Sequence, residues 1–204
     1  MTSPQEREVR AAASLAGFDL GRLTEQFGAM AESFERDGND PQQAATLSLT
    51  QMCLLHGLPI LTQQQGDAAR GTNPTYLGKG FFGSAFLNRE EALVVKVTSD
   101  AASIVLEAKA LTLLKDEPRV QQIVGICPER SSLVTRYGGP TLKEQLPSFS
   151  SEHKAFIAAQ LTQTVQAIHA KGISHRDLKA SNVCVDASQG HAEVIVIDFG
   201  ICSH

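Results

Sequence analysis

No apolar run in this sequence approaches the roughly 18 residues of a membrane span, so no membrane is expected among its partners. The first residues include Glu6 and Glu8 and form no apolar signal core, so secretion is not expected either. There is no excess of positive charge. A formal net charge of −4 gives no reason to expect nucleic acid or an anionic membrane surface. The four cysteines (Cys53, Cys127, Cys184, Cys202) have no metal-site spacing, and none begins a Cys-x-x-Cys. They read as free thiols in a reducing compartment, the cytoplasm or the nucleus. What is present is an ordinary globular balance, 42% hydrophobic and 20% charged, over 204 residues. That length suffices for one domain with a core, plus an appendage.

The N-terminal part reads as helical. Ser3 before Pro4 looks like a helix N-cap and first position. Leu20, Leu23, Phe27, Ala31 and Phe34 then recur at helical spacing. The run Asp37 to Pro41 breaks that pattern. Asp40 can cap a second helix with Pro41 at its start, running to about Leu55 and stopping at Gly57 before Pro59. Two helices with a short turn suggest an antiparallel hairpin. Residues 1–62 are therefore expected to form a helical extension: packed on the following domain, a partly ordered tail, or a module for dimerisation or for a protein partner. Residues 63–74 are polar, contain two glycines and read as a linker.

The most informative stretch is Ile173 to Asn182, ISHRDLKASN, which holds His175, Arg176, Asp177, Lys179 and Asn182. It follows a long helical pattern, with Ile157, Leu161, Val165 and Ile168 at helical spacing and Gly172 placed to end the helix. The triplet Asp198, Phe199, Gly200 begins 21 residues beyond Asp177. Between them lie two short apolar runs, Val183 to Val185 and Val194 to Ile197, which read as paired strands holding Asn182 and Asp198 near each other. This resembles the catalytic loop and magnesium-binding triplet of the eukaryotic protein kinases.

Phosphoryl transfer needs positioning and charge neutralisation more than covalent help. On the resemblance, Asp177 would orient the attacking hydroxyl and Lys179 would offset charge on the γ-phosphate. Asn182 and Asp198 would offer hard oxygens to Mg2+. The catalytic group would be Asp177, Lys179, Lys96 and Glu107, with ATP and Mg2+ as cofactors. His175 would be structural, with the triplet phenylalanine packed on it.

Upstream pieces stand in matching order. Gly78, Gly80 and Gly83 fit G-x-G-x-x-G, which a dinucleotide site also uses, but such a site needs a helix directly after the glycines. A strand-like segment follows here instead, then a polar turn and the strand Ala92 to Val97. The resemblance implies a loop of Leu77, Gly78, Lys79, Gly80, Phe81, Phe82 and Gly83 over the phosphates. Ala85, where the family usually has valine, would cover the adenine ring. Lys96 interrupts an apolar strand, and a lysine is seldom buried without a partner. Its implied partner is Glu107, on a helical run from about Ala101 to Lys115. Ser131 to Leu142 resembles the fifth strand and hinge, with Thr135 at the back of the adenine pocket. Arg136, Tyr137 and Gly138 would offer backbone groups to the adenine edge.

The expected fold is therefore α+β and protein-kinase-like. It comprises a five-stranded N-lobe sheet with helix C and the first part of a mainly helical C-lobe over 75–204, preceded by an α-helical N-terminal segment. The expected function is transfer of the ATP γ-phosphate to serine or threonine hydroxyls of a protein substrate. Lys179 resembles the serine/threonine-specific branch, whereas VGIC (Val124 to Cys127) and LVTRY (Leu133 to Tyr137) look tyrosine-kinase-like. The alternative is a non-catalytic, pseudokinase-like ATP-binding or regulatory protein. The sequence ends at His204, four residues after the triplet, without the activation and substrate-binding segments of the family. It reads as a fragment whose long helix would leave an apolar stripe exposed, giving poor solubility.

Overall fold

The computed structural model describes residues 19–80, 83–186 and 192–203. The expected Ser3–Pro4 cap lies outside them. Helix α1 spans Leu20–Arg36, and its N-cap Asp19 accepts a hydrogen bond from the Arg22 amide at 3.1 Å. Helix α2 spans Pro41–His56. Asp40 and Gln43 form a reciprocal capping box, and Gly57 ends the helix at φ +64°, a conformation that suits glycine. The two helices pack against each other as the expected hairpin.

The stretch expected as a linker is largely a helix, α3, over Gln63–Arg70. Thr62 and Gln65 cap it reciprocally, which offsets the helix-weakening effect of Gly66. Gly66 is there for contact: a Cβ at this position would sit 2.6 Å from Cys127 Sγ. Helix α3 lies on the sheet, where Ala69 packs with Val95 and Val134.

Five antiparallel strands follow: β1 (Thr75–Gly80), β2 (Gly83–Asn88), β3 (Leu93–Val97), β4 (Ile123–Cys127) and β5 (Ser132–Arg136). Their order is β1-β2-β3-β5-β4. Helix α4 (Ala101–Leu113) sits between β3 and β4 in sequence and packs on β4 and β5. Asp100 caps it through the Ser103 amide at 3.1 Å, so it begins directly after the strand, as the short spacing between Lys96 and Glu107 requires.

Past β5 come the short helix α5 (Leu142–Gln145), the long helix α6 (Ser151–Ala170), and the antiparallel pair β6 (Val183–Asp186) and β7 (Glu193–Val196). Gly172, at φ +75°, lets the chain leave α6 toward the next loop. This is the expected α+β arrangement.

The main core joins α1, α2, α4 and the loop after α6, with Leu23, Met52, Leu106, Leu111, Ile168 and Phe199 all nearly fully buried. Each such side chain contributes about 1.5–3 kcal/mol by leaving water. All four cysteines are free and buried. Burial pushes the thiols of Cys53, Cys184 and Cys202 up to about 12, so they stay protonated. No described helix is long and apolar enough to cross a membrane.

Candidate nucleotide and phosphoryl-transfer site

Strand β3 alternates its faces. Val95 turns toward α3, while Val94 and Lys96 turn to a cleft of about 810 Å³ beneath the sheet. Helix α4 brings Glu107 to the same place. Lys96 Nζ donates to Glu107 Oε2 at 2.7 Å and to Asp198 Oδ1 at 2.8 Å, so one ammonium ties the sheet to α4 and to the triplet. Burial pulls the Lys96 pKa down, but the Glu107 and Asp198 carboxylates outweigh it, and the ammonium stays charged through the neutral range. Burial pushes the Glu107 carboxyl up, and the Lys96 ammonium and a hydrogen bond from the Phe199 amide oppose that rise.

The facing wall is built by polar contacts. His175 Nε2 lies 2.9 Å from the Ile197 carbonyl, and its Nδ1 lies 3.3 Å from the Asp177 amide. A carbonyl only accepts and an amide only donates, so the neutral tautomer with hydrogen on Nε2 satisfies both. The imidazole also packs on the Phe199 ring at 4.6 Å between centroids. Thus His175 joins the loop to the triplet. Asp177 Oδ2 accepts from Lys179 Nζ at 2.6 Å and from Asn182 Nδ2 at 3.0 Å. The Lys179 hydrogen bond holds the Asp177 carboxyl below the usual carboxylate range.

The β6–β7 pair sets the remaining distance. Val183 faces Val196, and the Ile197 amide donates to the Asn182 carbonyl at 3.0 Å, so Asn182 and Asp198 enter the cleft side by side. Arg176 and Asp198 have φ of +65° and +66°. The left-handed region is tolerated by aspartate but costs a residue such as arginine about 1–3 kcal/mol. Backbone strain of this kind concentrates at functional sites.

Most of the residues singled out in the sequence meet here. Leu77, Gly78, Lys79, Gly80, Gly83, Lys96, Glu107, Thr135, Asp177, Lys179, Asn182 and Asp198 all line the cleft. Phe81 and Phe82 lie outside the described residues. Ala85, Arg136, Tyr137 and Gly138 are not on the cleft wall as it stands among the described residues. Ala85 is paired between Gly78 and Lys96 in the sheet. The Arg136 and Tyr137 amides are spent on Gln122 and Ala92 carbonyls, at 2.8 and 2.9 Å. Gly138 differs, since neither its amide nor its carbonyl bonds to backbone among the described residues.

Sequence reasoning missed several wall residues, among them Val94, Leu133 and Gln121. Val94 and Leu133 were reachable by stepping two residues back from Lys96 and Thr135 along their strands. Gln121 precedes β4 and donates through Nε2 to Thr135 Oγ1 at 2.9 Å, and no pattern in the sequence announces it.

The donor set suits a hard cation only in part. Asp198 and Asn182 offer oxygens, but no described cluster of three or more His, Cys, Asp or Glu side chains is placed to hold a metal. Two such oxygens fit Mg2+, which is usually held by one or two protein ligands together with substrate phosphates and water.

A cleft in which one lysine bridges two carboxylates, facing a short polar loop, places positive charge and hard oxygens where a phosphate and a cation could sit. Comparison with known proteins agrees. A family model described as the protein kinase domain matches residues 74–204. The chain is 31% identical over 144 residues to protein kinase C of Drosophila melanogaster, covering 62% of this chain and 19% of that protein. It is 32% identical over 145 residues to protein kinase C eta type of Mus musculus, covering 62% and 21%. It is 28% identical over 138 residues to dual specificity testis-specific protein kinase 1 of Rattus norvegicus, covering 61% and 22%. The chain belongs to the protein kinase family. It spans about a fifth of the length of these curated relatives.

Proposed function

We propose that residues 75–204 form the ATP-binding and phosphoryl-transfer part of a protein kinase that acts on serine or threonine hydroxyls of a protein substrate, with residues 1–62 as a helical extension. One observation carries this reading: Lys96 bridges Glu107 and Asp198 on one wall of the cleft in which Asp177, Lys179 and Asn182 line the other.

Lys96 neutralises phosphate charge from above, in an orientation set by Glu107. Asp177 accepts the hydrogen of the attacking hydroxyl. Its pKa, held low by Lys179, keeps it ionised and able to orient that group at neutral pH. Lys179, now 2.6 Å from Asp177, is close enough to turn to a transferring phosphate. Asn182 donates its Nδ2 to Asp177, which leaves its amide oxygen, with the Asp198 carboxylate, to hold Mg2+. When bound, the cation supplies charge neutralisation across the phosphates. The backbone groups of Gly138, which bond to no backbone among the described residues, suit the hydrogen-bonding edge of adenine, with Thr135 closing the back. Buried, protonated thiols fit an intracellular setting.

The test is Mg2+-dependent transfer of labelled γ-phosphate from ATP to a generic protein substrate, with phosphoamino-acid analysis of the product. Transfer to serine and threonine, abolished in Asp177→Asn while Mg-ATP still binds, is the expected result. Label on tyrosine would overturn the hydroxyl specificity. Turnover unchanged in Asp177→Asn, or Mg-ATP binding with no transfer from any form, would overturn the catalytic reading.

A further inference from the structure

We infer that the α1–α2 hairpin is a positioning element for the cleft: it holds α4 against the sheet and so keeps Glu107 within reach of Lys96. Helix α4 is predominantly apolar. Its sequence, AASIVLEAKALTL, carries two charged residues, Glu107 and Lys109, and has no polar face. Every position from Ala101 to Leu111 is buried, both charges included. A helix lying on a sheet with its far side in water needs an apolar stripe on one side only. A helix apolar all round needs cover on both sides. The sheet covers one side of α4, and α1 and α2 cover the other. Leu23 from α1 and Leu49 and Met52 from α2 are each 1% exposed or less and share one core with Ile104 and Leu111 of α4.

Two further contacts fix the hairpin in place, and a cavity marks its entry. At its exit, the Leu61 amide donates to the Ile126 carbonyl at 2.7 Å, and the Ile126 amide donates to the Pro59 carbonyl at 2.8 Å, which attaches the segment to the free edge of β4. At the end of α2, His56 Nδ1 lies 3.4 Å from Lys109 Nζ, two residues beyond Glu107. At its entry, Asp19 and Leu20 border a cavity of about 410 Å³ together with Leu106 of α4, Arg176 of the loop and Cys202 beyond the triplet. The hairpin thus extends from the sheet edge, across α4, to a cavity shared with the loop. Were it to lift away, α4 would present a bare apolar face to water, and a shift of α4 would follow. The lysine–glutamate pair is therefore conditional on residues that touch neither nucleotide nor substrate.

The inference rests on the proposed nucleotide site only where nucleotide affinity is the readout, so the test has two arms. Both use the full chain with Leu23→Ala, Met52→Ala and, as a control, Leu54→Ser on the exposed face of α2, where Leu54 is 68% exposed. The first arm follows amide hydrogen exchange without nucleotide. Leu23→Ala and Met52→Ala are expected to speed exchange throughout α4 while β2 and β3 keep their protection, and Leu54→Ser to change neither. Protection of α4 that survives while α1 and α2 exchange freely would overturn the inference, whatever the site binds. The second arm measures Mg-ATP affinity in the presence and absence of Glu107→Gln. The hairpin variants should weaken binding severalfold when Glu107 is present and have no added effect when it is replaced. An equal loss in both backgrounds would make the hairpin a general stabiliser and overturn the positioning role. If the alanine variants do not fold, Leu49→Val removes less and is read in the same way.

Discussion

Helices α4 and α6 each set one wall of the cleft, α4 through Glu107 and α6 through the loop it leads into. Helix α4 is buried at every position from Ala101 to Leu111, whereas the twenty residues of α6 bury only Ile157, Gln160, Thr164 and Ile168. Phe156 of α6 is half exposed at 50%. The walls are accordingly held by different physics. Glu107 is placed by close packing on two sides, which is stiff and volume-sensitive. Asp177 and Asn182 are placed by hydrogen bonds: the Asp177 amide donates to His175, Lys179 donates to the Asp177 carboxylate, and the Ile197 amide donates to the Asn182 carbonyl. One half of the site should fail when volume is removed, the other when a polar partner is removed.

Leu111→Ala should have the largest effect on stability. It empties a fully buried position in α4 and should destabilise the protein by about 2–5 kcal/mol, read from urea unfolding. A change smaller than about 0.5 kcal/mol, the range of surface substitutions, would break the contrast. His175→Ala comes next. It strands the Ile197 carbonyl and the Asp177 amide and removes the Phe199 ring contact. About 1–3 kcal/mol is expected from the unmade hydrogen bonds, together with slower phosphoryl transfer.

Lys179→Met sharpens the electrostatic half. The Lys179 hydrogen bond depresses the Asp177 pKa, so the ionised carboxylate persists below the usual carboxylate range. A depressed carboxylate lends stability that is complete above its unfolded pKa and is lost as pH falls through its folded one. Without Lys179 the Asp177 pKa rises. The acid limb of the pH–rate profile should then move to higher pH, and a limb that stays in place would count against Asp177 as the titrating group. The smallest effect belongs to Phe156→Ser, within about 0.5 kcal/mol, because that side chain is already half in water. A large loss there would mean that α6 is held much as α4 is.

The parts legible in the sequence were those where chemistry dictates residue type at fixed spacing. ISHRDLKASN, the Asp198 triplet and a lysine interrupting an apolar strand led to the cleft residues that the structure brings together. The hairpin was legible because Asp40, Pro41 and Gly57 punctuate it. Helix α3 was hidden by Gly66 and its polar composition, although Thr62 with Gln65 is a capping-box pattern that outranks a single glycine. Gln121 was hidden because its contact with Thr135 joins residues 14 apart across the sheet, which no local pattern encodes. The closed packing around α4 was written in its missing polar face, but which segment covers it follows only from the tertiary arrangement.

The central claim is that Lys96, Glu107 and Asp198 together make a nucleotide–Mg2+ site. Its most direct measurement is calorimetric titration of ATP into the chain and into Asp198→Asn, with and without Mg2+. Saturable binding that requires Mg2+ in the unaltered chain, and loses that requirement in Asp198→Asn, is the predicted result. Absence of binding, or binding with the same Mg2+ dependence in both proteins, would contradict the account.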